Sequence, residues 1–400
     1  MKILGVASII IFLLSSCKNK SGQEMHSAFL TIDSHIDIPI KLTNDSTYNL
    51  EEDNSLLADG SRTDFPRMDK GGLDAAFFIV WTAQHECDSI GIQRANDKAH
   101  EIIATIKSRI NSSPSFAQLA FSSDDIIKIN DSKRHPILIG MENGYPIGKD
   151  ISQVEHFYNL GIRYLTLCHT KNNDICCSST DESEDKGLTN FGIEVVHELN
   201  RLGIIIDVSH ISDSAFYQVI KYSKAPVVAT HSNCRALCSH PRNMTDDMIK
   251  LLAKNGGIID INFVDEYLRT PEPNAARDSA VSIIKNKYSN PKISDKEKDE
   301  LSMEWDAIHT KFPSKHATIS DVIDHIDYVV KLVGIDYVGI GSDFDGGGRV
   351  AGLNDVSEMG NLTNELLKRG YSEKDIEKIW SGNFMRVFRE VENISHEIKN

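Results

Sequence analysis

Short apolar segments alternate with amphipathic segments along most of the chain. Eight apolar segments, rich in Ile, Val and Phe and bounded by turn residues, cover residues 29–36, 73–81, 136–141, 162–168, 203–208, 226–230, 257–263 and 337–340. Their nearly continuous hydrophobicity is typical of strands that are buried on both faces of a parallel sheet. Helical patterns separate them, at residues 92–111, 151–160, 191–202, 212–222, 246–255 and 318–332. The alternation predicts an α/β fold with eight parallel strands.

Ionisable residues end or directly follow six of the eight apolar segments. In chain order these residues are His35 with Asp37, then Glu142, His169, His210, His231 and Asp343. Because the carboxyl ends of all strands in a closed barrel meet in one ring, side chains far apart in the sequence converge there, whereas an open sheet would spread them along an edge. The pattern therefore predicts a (β/α)₈ TIM barrel with a site at the carboxyl ends of its strands. No GxGxxG motif follows the first segment, so a dinucleotide site is not supported.

The residue types at these strand ends are those that bind divalent metal ions. His35 and Asp37 are two residues apart, so both side chains lie on the same side of an extended strand. Glu142, His210 and His231 add a carboxylate and two imidazoles from the same rim. Imidazole and carboxylate without thiolate favour zinc over an iron–sulfur cluster, and a carboxylate shared between two ligand sets suits a pair of ions about 3.5–4 Å apart. A single strand histidine is usually a packed core or surface group, and its repetition at strand ends is what predicts a metal site.

Composition and charge narrow the class of protein. The 400 residues include 43 Lys and Arg against 58 Asp and Glu, a formal net charge of −15. Nucleic-acid binding is disfavoured, because a polyanionic partner requires a basic face. The hydrophobic fraction of 40% is ordinary for a globular protein and excludes a disordered or collagen-like chain. The six cysteines after Cys17 are interpreted mostly as buried free thiols, and their disulfide pairing stays open.

The N-terminus has the pattern of an export signal. Met1 and Lys2 precede an apolar run at residues 3–14, which is too short to span a bilayer of about 30 Å. The run ends on Leu-Ser-Ser-Cys at residues 14–17, which resembles a bacterial lipobox with Cys17 as the lipidated residue. The alternative is a buried helix with an incidental cysteine. We expect an exported bacterial lipoprotein in the periplasm or cell envelope, which contacts the membrane only through this anchor.

The rest of the chain is predicted to form one domain. Residues 1–16 are assigned to the lipoprotein signal peptide and residues 17–28 to a polar tether. Residues 29–390 form a single barrel domain, in which residues 265–316 are a charged insertion after the seventh strand. Residues 391–400 are a C-terminal tail.

Seven motifs in order along the chain carry a family resemblance. They are DSHIDIP (33–39), GMENG (140–144), YLTLCH (164–169), DVSH (207–210), HSNCRA (231–236), HPRN (240–243) and GSDFDG (341–346). In these stretches the sequence resembles the membrane dipeptidase family, the renal-dipeptidase-like zinc peptidases. The likeness extends from about residue 29 to about residue 387. The family pattern often has Gly at the position of Ser34 and Asn at the position of Ile36, and residues 269–315 are longer and more charged than in animal members.

The resemblance implies two zinc ions per chain and names the residues that would bind each ion. His35 and Asp37 would bind the first zinc, His210 and His231 would bind the second, and Glu142 would bridge both. The implied fold is a (β/α)₈ barrel, as the strand pattern also predicts.

The resemblance also implies the substrate and the residues that handle it. His169 would contact the substrate carbonyl, Arg242 and Tyr267 would hold the C-terminal carboxylate, and Asp343 would be the catalytic acid and base. The implied reaction is hydrolysis of dipeptides through a metal-bridging hydroxide, with tolerance of a D-residue at the C-terminal position. A homodimer is common in the family.

Two other functions stay open at this point. One is a barrel amidohydrolase that acts on cyclic amides or esters such as β-lactams, which would normally have a carboxylated barrel lysine where this chain has Glu142. The other is a non-catalytic binding lipoprotein, which should have lost ligands or Asp343. Every expected position is filled, which favours the dipeptidase.

Overall fold

The structure is a computed structural model. It describes residues 22–57, 60–270, 272–288 and 316–400, together with residues 293, 297, 301, 304, 307, 308, 311 and 312. The predicted signal peptide, the lipidation residue Cys17 and most of the later part of the predicted insertion lie outside the described residues.

Nine parallel strands form one sheet. They are β1 Ile32–Ile36, β2 Ala75–Trp81, β3 Ala117–Leu119, β4 His135–Glu142, β5 Ile162–Thr166, β6 Ile205–Asp207, β7 Val228–Ser232, β8 Ile258–Ile261 and β9 Val338–Ile340. The order is β1-β2-β4-β5-β6-β7-β8-β9, with β3 paired to β4 beside this path. The eight predicted segments are the eight strands of the path. The short β3 was not predicted; it lies in a stretch, residues 116–121, whose apolar residues are interrupted by Gln118.

The sheet closes into a barrel where β9 meets β1. The backbone N–H of Asp343 donates to the carbonyl of His35 at 3.0 Å, and the N–H of Asp37 donates to the carbonyl of Phe344 at 2.8 Å. The Asp33 carboxylate also accepts a hydrogen bond from the N–H of Ser342 at 2.9 Å. These contacts join the first and last strands at their carboxyl ends. The predicted (β/α)₈ barrel is confirmed.

Helices surround the barrel. They are α1 Gly22–His26, α2 Ile38–Asn44, α3 Phe65–Gly71, α4 Ser89–Ser112, α5 Ser123–Asp131, α6 Ser152–Asn159, α7 Asn190–Leu202, α8 Asp213–Tyr222, α9 Asp246–Lys254, α10 Asp265–Leu268, α11 Ala275–Tyr288, α12 Ile319–Val333, α13 Gly360–Lys368, α14 Glu373–Glu377 and α15 Asn383–Lys399. All six predicted helical patterns are helices. The Ser212 and Thr245 hydroxyls cap α8 and α9 by accepting from the N–H groups of Ala215 and Met248.

The last helix fills the amino end of the barrel. Phe384 and Phe388 of α15 are buried there in a cluster with strand residues that include Phe77, whose ring centroid lies 5.3 Å from that of Phe384. The helix continues to Lys399, and Val391 and Ser395 are buried. The predicted boundary at residue 390 therefore falls inside a packed helix, because its apolar positions recur at helical spacing beyond that point.

The predicted polar tether also contains ordered structure. Residues 22–26 form α1, and His26 is buried. Its Nε2 contacts the carbonyl of Gly71 at 2.9 Å and its Nδ1 contacts the hydroxyl of Thr363 at 2.8 Å. Both ring nitrogens therefore have hydrogen-bond partners, which offset the free-energy cost of burying this polar side chain.

Two further features of the described chain bear on its environment. The six cysteines after Cys17 carry free thiols, and five are buried, with Cys87 exposed, which confirms the interpretation from the sequence. Among the described helices, none combines the length and the hydropathy that crossing a bilayer requires.

Candidate metal centre

The structure brings the predicted metal ligands together at the carboxyl end of the barrel. His35 lies in β1 and Asp37 follows it, Glu142 is the last residue of β4, and His210 comes three residues after β6. His231 lies inside β7, which extends two residues beyond the predicted segment. All five side chains are buried.

Glu142 lies at the centre of this group. Its Oε1 atom is 2.9 Å from Nε2 of His210 and 3.3 Å from Nε2 of His231. Its other oxygen, Oε2, is 3.7 Å from Nε2 of His35. The two oxygens of one carboxylate thus face two different sets of imidazoles, which is the arrangement of a bridging ligand.

Asp37 and Asp343 complete the side of the centre around His35. The Oδ2 atom of Asp37 is 3.4 Å from Nε2 of His35. One side-chain ligand atom from each of His35, Asp37 and Asp343 lies within 4.8 Å of the other two. Asp343 accepts a hydrogen bond from the amide of Asn262 at 2.9 Å, which orients its carboxylate.

The electrostatics of the cluster fit a bound cation. Burial, together with the positive charge of Arg242, lowers the pKa of His210 well below its ordinary value. Burial likewise lowers the pKa of His231, so both rings are neutral, which is the form that ligates a metal. Burial raises the pKa of Glu142 well above its ordinary value. Burial alone would lower the pKa of His35, but the carboxylates of Asp37 and Glu142 raise it to about 10.

Unpaired atoms point to the same conclusion. Nε2 of His35 and Oδ1 of Asp37 are buried without a hydrogen-bond partner in the part of the chain that the structure describes. Nε2 of His210 and Nε2 of His231 lie 2.8 Å apart, beside Oε1 of Glu142. Converging polar atoms in a buried site are costly unless they are satisfied, and divalent ions take imidazole and carboxylate donors. The residues present therefore fit a metal centre.

Hydrogen bonds from behind orient two of the imidazoles. The Tyr164 hydroxyl lies 2.8 Å from Nδ1 of His35. The Thr230 hydroxyl lies 2.9 Å from Nδ1 of His231 and donates to the Asp207 carboxylate at 2.8 Å, so it accepts from the His231 ring. This leaves the Nε2 lone pair of His231 directed at the centre. The sequence analysis gave these three supporting residues no role, although the buried Asp and Thr next to strand histidines were a usable signal.

Strained backbone also marks the centre. His210 has φ of 70° and Asp343 has φ of 61°, a left-handed conformation that non-glycine residues rarely adopt. Gly346 approaches so closely that an added Cβ would lie 2.0 Å from Oδ2 of Asp37 and 2.4 Å from Oδ1 of Asp343. Only glycine fits there, and the turn after β9 can therefore pack against both carboxylates.

The predicted substrate residues line the same mouth. Nε2 of His169 is 3.8 Å from Oε1 of Glu142, and burial with the nearby Arg242 charge lowers the pKa of His169 to about 3. Arg242 is buried and donates to the carbonyl of His231 at 3.0 Å. Its guanidinium lies 5.5 Å from the ring centroid of Tyr267 in α10. Burial raises the pKa of Asp343 to about 7.

The two ends of the predicted insertion lie next to each other. Asp265, at the start of α10, accepts from the N–H of Ala317 at 2.6 Å and contacts His316 at 2.9 Å. The segment that carries Tyr267 therefore has its first and last residues held together by hydrogen bonds. The pairing keeps α10 beside Arg242.

Comparison with known proteins identifies the family of the chain. The family model described as membrane dipeptidase (peptidase family M19) matches residues 20–400. Dipeptidase 3 of Macaca fascicularis is 33% identical over 382 residues, covering 94% of this chain and 68% of the relative. Dipeptidase tcpJ of Claviceps purpurea is 35% identical over 280 residues, covering 70% of this chain and 56% of the relative.

A solved structure has the same architecture. The probable dipeptidase PvdM from Pseudomonas aeruginosa superposes with a TM-score of 0.83 at 30% identity, covering 93% of this chain and 98% of that chain. The family match spans the barrel and every ligand position, and it confirms the resemblance inferred from the seven motifs. The chain therefore belongs to the membrane dipeptidase family and is a metallopeptidase of the hydrolase class.

Proposed function

We propose that this dipeptidase hydrolyses dipeptides with two zinc ions held at the carboxyl end of its barrel. One observation carries the proposal: Oε1 of Glu142 faces His210 and His231 while Oε2 faces His35. A carboxylate placed in this way can bind two ions at once. Asp37 would complete the first ion's ligands beside His35.

The metal pair and the protein would divide the chemistry. When bound, two divalent ions polarise a carbonyl and acidify a water molecule enough to attack near neutral pH. Asp343 would take the proton of the attacking water and deliver it to the leaving amine. Its carboxyl is suited to this exchange, because burial raises its pKa to about 7.

The remaining residues would recognise the ends of the substrate. His169 would donate a hydrogen bond to the scissile carbonyl oxygen, and Arg242 would bind the C-terminal carboxylate with Tyr267 beside it. Arg242 supports this role because its Nε has no hydrogen-bond partner among the described residues although it is buried. A guanidinium fork is complementary to a carboxylate.

The proposal extends to substrate range and location. We propose that the C-terminal position accepts D- as well as L-residues, because the resemblance implies it. We also propose that Cys17 carries a lipid anchor on an exported protein, on the strength of the Leu-Ser-Ser-Cys pattern. A homodimer stays a prediction. The cyclic-amide alternative lacks support, since the bridging position holds Glu142 and not a lysine.

Turnover of L-L, L-D and Gly-D dipeptides before and after chelation, with zinc add-back, tests the proposal. We expect activity to disappear with the metal and to return at two equivalents of zinc per chain, measured by elemental analysis. Activity that is indifferent to chelation would contradict it. Full activity at one equivalent would remove the second ion, and hydrolysis of L-L substrates alone would remove the D-residue tolerance.

A further inference from the structure

Trp81 lies against the predicted substrate residue His169. It is the last residue of β2, and its ring stands nearly perpendicular to the His169 ring, with centroids 5.7 Å apart and an interplanar angle of 78°. The indole Nε1 lies 3.4 Å from Nδ1 of His169 in hydrogen-bonding geometry. The sequence analysis gave Trp81 no role, because an aromatic residue that ends a strand is ordinarily part of the packing.

The chemistry of the indole fixes the direction of this hydrogen bond. An indole N–H can donate but cannot accept. Nδ1 of His169 must therefore be the acceptor and must carry no proton. The proton of the neutral ring is then on Nε2, the atom that lies 3.8 Å from Oε1 of Glu142 and faces the mouth of the barrel.

The contact behind His231 has the opposite polarity. The Thr230 hydroxyl gives its hydrogen to Asp207 and therefore accepts from Nδ1 of His231. That imidazole presents an Nε2 lone pair to the centre, as a metal ligand must. Two imidazoles of one site thus have different partners behind them, a hydroxyl acceptor for His231 and an indole donor for His169.

We propose that Trp81 is a positioning residue that holds His169 in the tautomer with its proton on Nε2. In this state His169 donates to the carbonyl oxygen of the scissile bond as that oxygen gains negative charge. In the other tautomer a nitrogen lone pair would face the oxygen and repel it. The inference rests on the proposed function, because it assigns Trp81 to the substrate contact proposed for His169.

The variant Trp81→Phe tests the inference, since it keeps an aromatic ring and removes the N–H donor together with the rest of the five-membered ring. We expect kcat to fall by about 10- to 100-fold, up to the lower end of the cost of losing an oxyanion donor. KM and the zinc content should stay close to those of the wild type. The matched control is Trp380→Phe, which removes an indole N–H bonded to Thr363 at 2.8 Å in the helical layer. That control should keep the wild-type kcat even if its Tm falls.

A second measurement reads the tautomer directly. In zinc-loaded protein labelled with ¹⁵N-histidine, the His169 signals can be identified by their loss in His169→Gln. We expect the wild type to show a protonated Nε2 and a bare Nδ1, and Trp81→Phe to show a shift toward a mixture of tautomers. The wild-type spectrum keeps the test decisive even if Trp81→Phe does not fold.

The possible outcomes separate this inference from the proposed function. A proton on Nδ1 in the wild type would overturn the inference, as would a wild-type kcat in Trp81→Phe. Loss of zinc together with kcat in Trp81→Phe would indicate a merely structural role and would also overturn it. In each case the wild-type response to chelation would still decide independently whether the protein is a metal-dependent dipeptidase.

Discussion

The two ends of the barrel are built from the same strands but have opposite character. At the carboxyl end, strands finish on buried His, Asp and Glu side chains that face one another around Glu142. At the amino end, Phe384 and Phe388 of α15 fill the barrel with apolar side chains. The contrast indicates that the fold separates chemistry from stability, as is general in this class of barrel.

The polar groups at the two ends differ as well. At the amino end the Glu392 carboxylate is paired, because it accepts from both the N–H and the hydroxyl of Ser123, at 3.0 and 2.6 Å. At the carboxyl end, buried atoms of His35 and Asp37 lack hydrogen-bond partners among the described residues. Paired polar groups stabilise a fold, whereas buried unpaired atoms that converge on one point, as those of His35 and Asp37 do, fit a ligand that satisfies them. Substitutions at the amino end should therefore leave catalysis intact, and substitutions at the carboxyl end should leave the stability of the fold intact.

The largest effect is expected when Glu is replaced by Gln at the carboxyl end, compared with the same replacement at the amino end in a separate variant. Glu142→Gln should lower kcat/KM on the order of 10⁴-fold or more and reduce the bound zinc, because an amide cannot bridge two cations. Glu392→Gln should leave dipeptide turnover unchanged and alter the free energy of unfolding by about 1 kcal/mol or less. Kinetic assays with elemental analysis and urea titration measure both. Equal loss of activity in the two variants would contradict the separation of the ends.

Asp343→Asn should separate catalysis from metal binding within the carboxyl end. We expect turnover to fall by about 10²- to 10⁴-fold, because the amide can no longer exchange the proton. The zinc content should stay at the wild-type value if Asp343 is the acid and base and not a ligand. An assay at saturating substrate, together with metal analysis, checks this. Zinc loss in this variant would make Asp343 a ligand.

Phe388→Ala tests the amino end alone. Removing a buried phenylalanine side chain should lower the free energy of unfolding by about 3–5 kcal/mol, because it leaves a cavity beneath the barrel. Urea unfolding monitored by circular dichroism measures the change. Below the new Tm, kcat and zinc content should match the wild type. A parallel loss of kcat in fully folded protein would show that the packing of α15 at the amino end influences the metal centre.

Thr230→Val should give the smallest effect, through the orientation of a ligand. Without the hydroxyl behind His231, zinc affinity should fall by about 10- to 100-fold. Competition with a chromophoric chelator measures this affinity. Thr363→Val is the control at the amino end, since its hydroxyl also contacts a buried histidine, His26. The control should keep the wild-type zinc affinity, and an equal loss of affinity in both variants would attribute the effect to general destabilisation.

The sequence predicted the barrel and the residues placed around its mouth, but not how they are supported. Strand positions such as those of His35 and Glu142 are readable because burial on both faces leaves a continuous apolar run before the polar residue. Trp81 was not readable, because its role depends on which side chain it contacts after folding, and Thr230 offered only the weaker signal of a threonine next to a strand histidine. The burial of His26 was not readable for the same reason, since its partners lie 45 and 337 positions away in the sequence.

The short helix that carries His26, α1, shows at which end of the barrel the described chain begins. Residues 27–31 connect this helix to β1. The Thr31 hydroxyl donates to the carbonyl of Gly72, and the Thr31 carbonyl accepts from the N–H of Ala75, next to the amino end of β2. Residue 22, where the described chain begins, therefore lies on the amino-end side of the barrel. The start of the described chain and the opening around Glu142 thus lie at opposite ends of the barrel, so an attachment at residue 22 would leave that opening free.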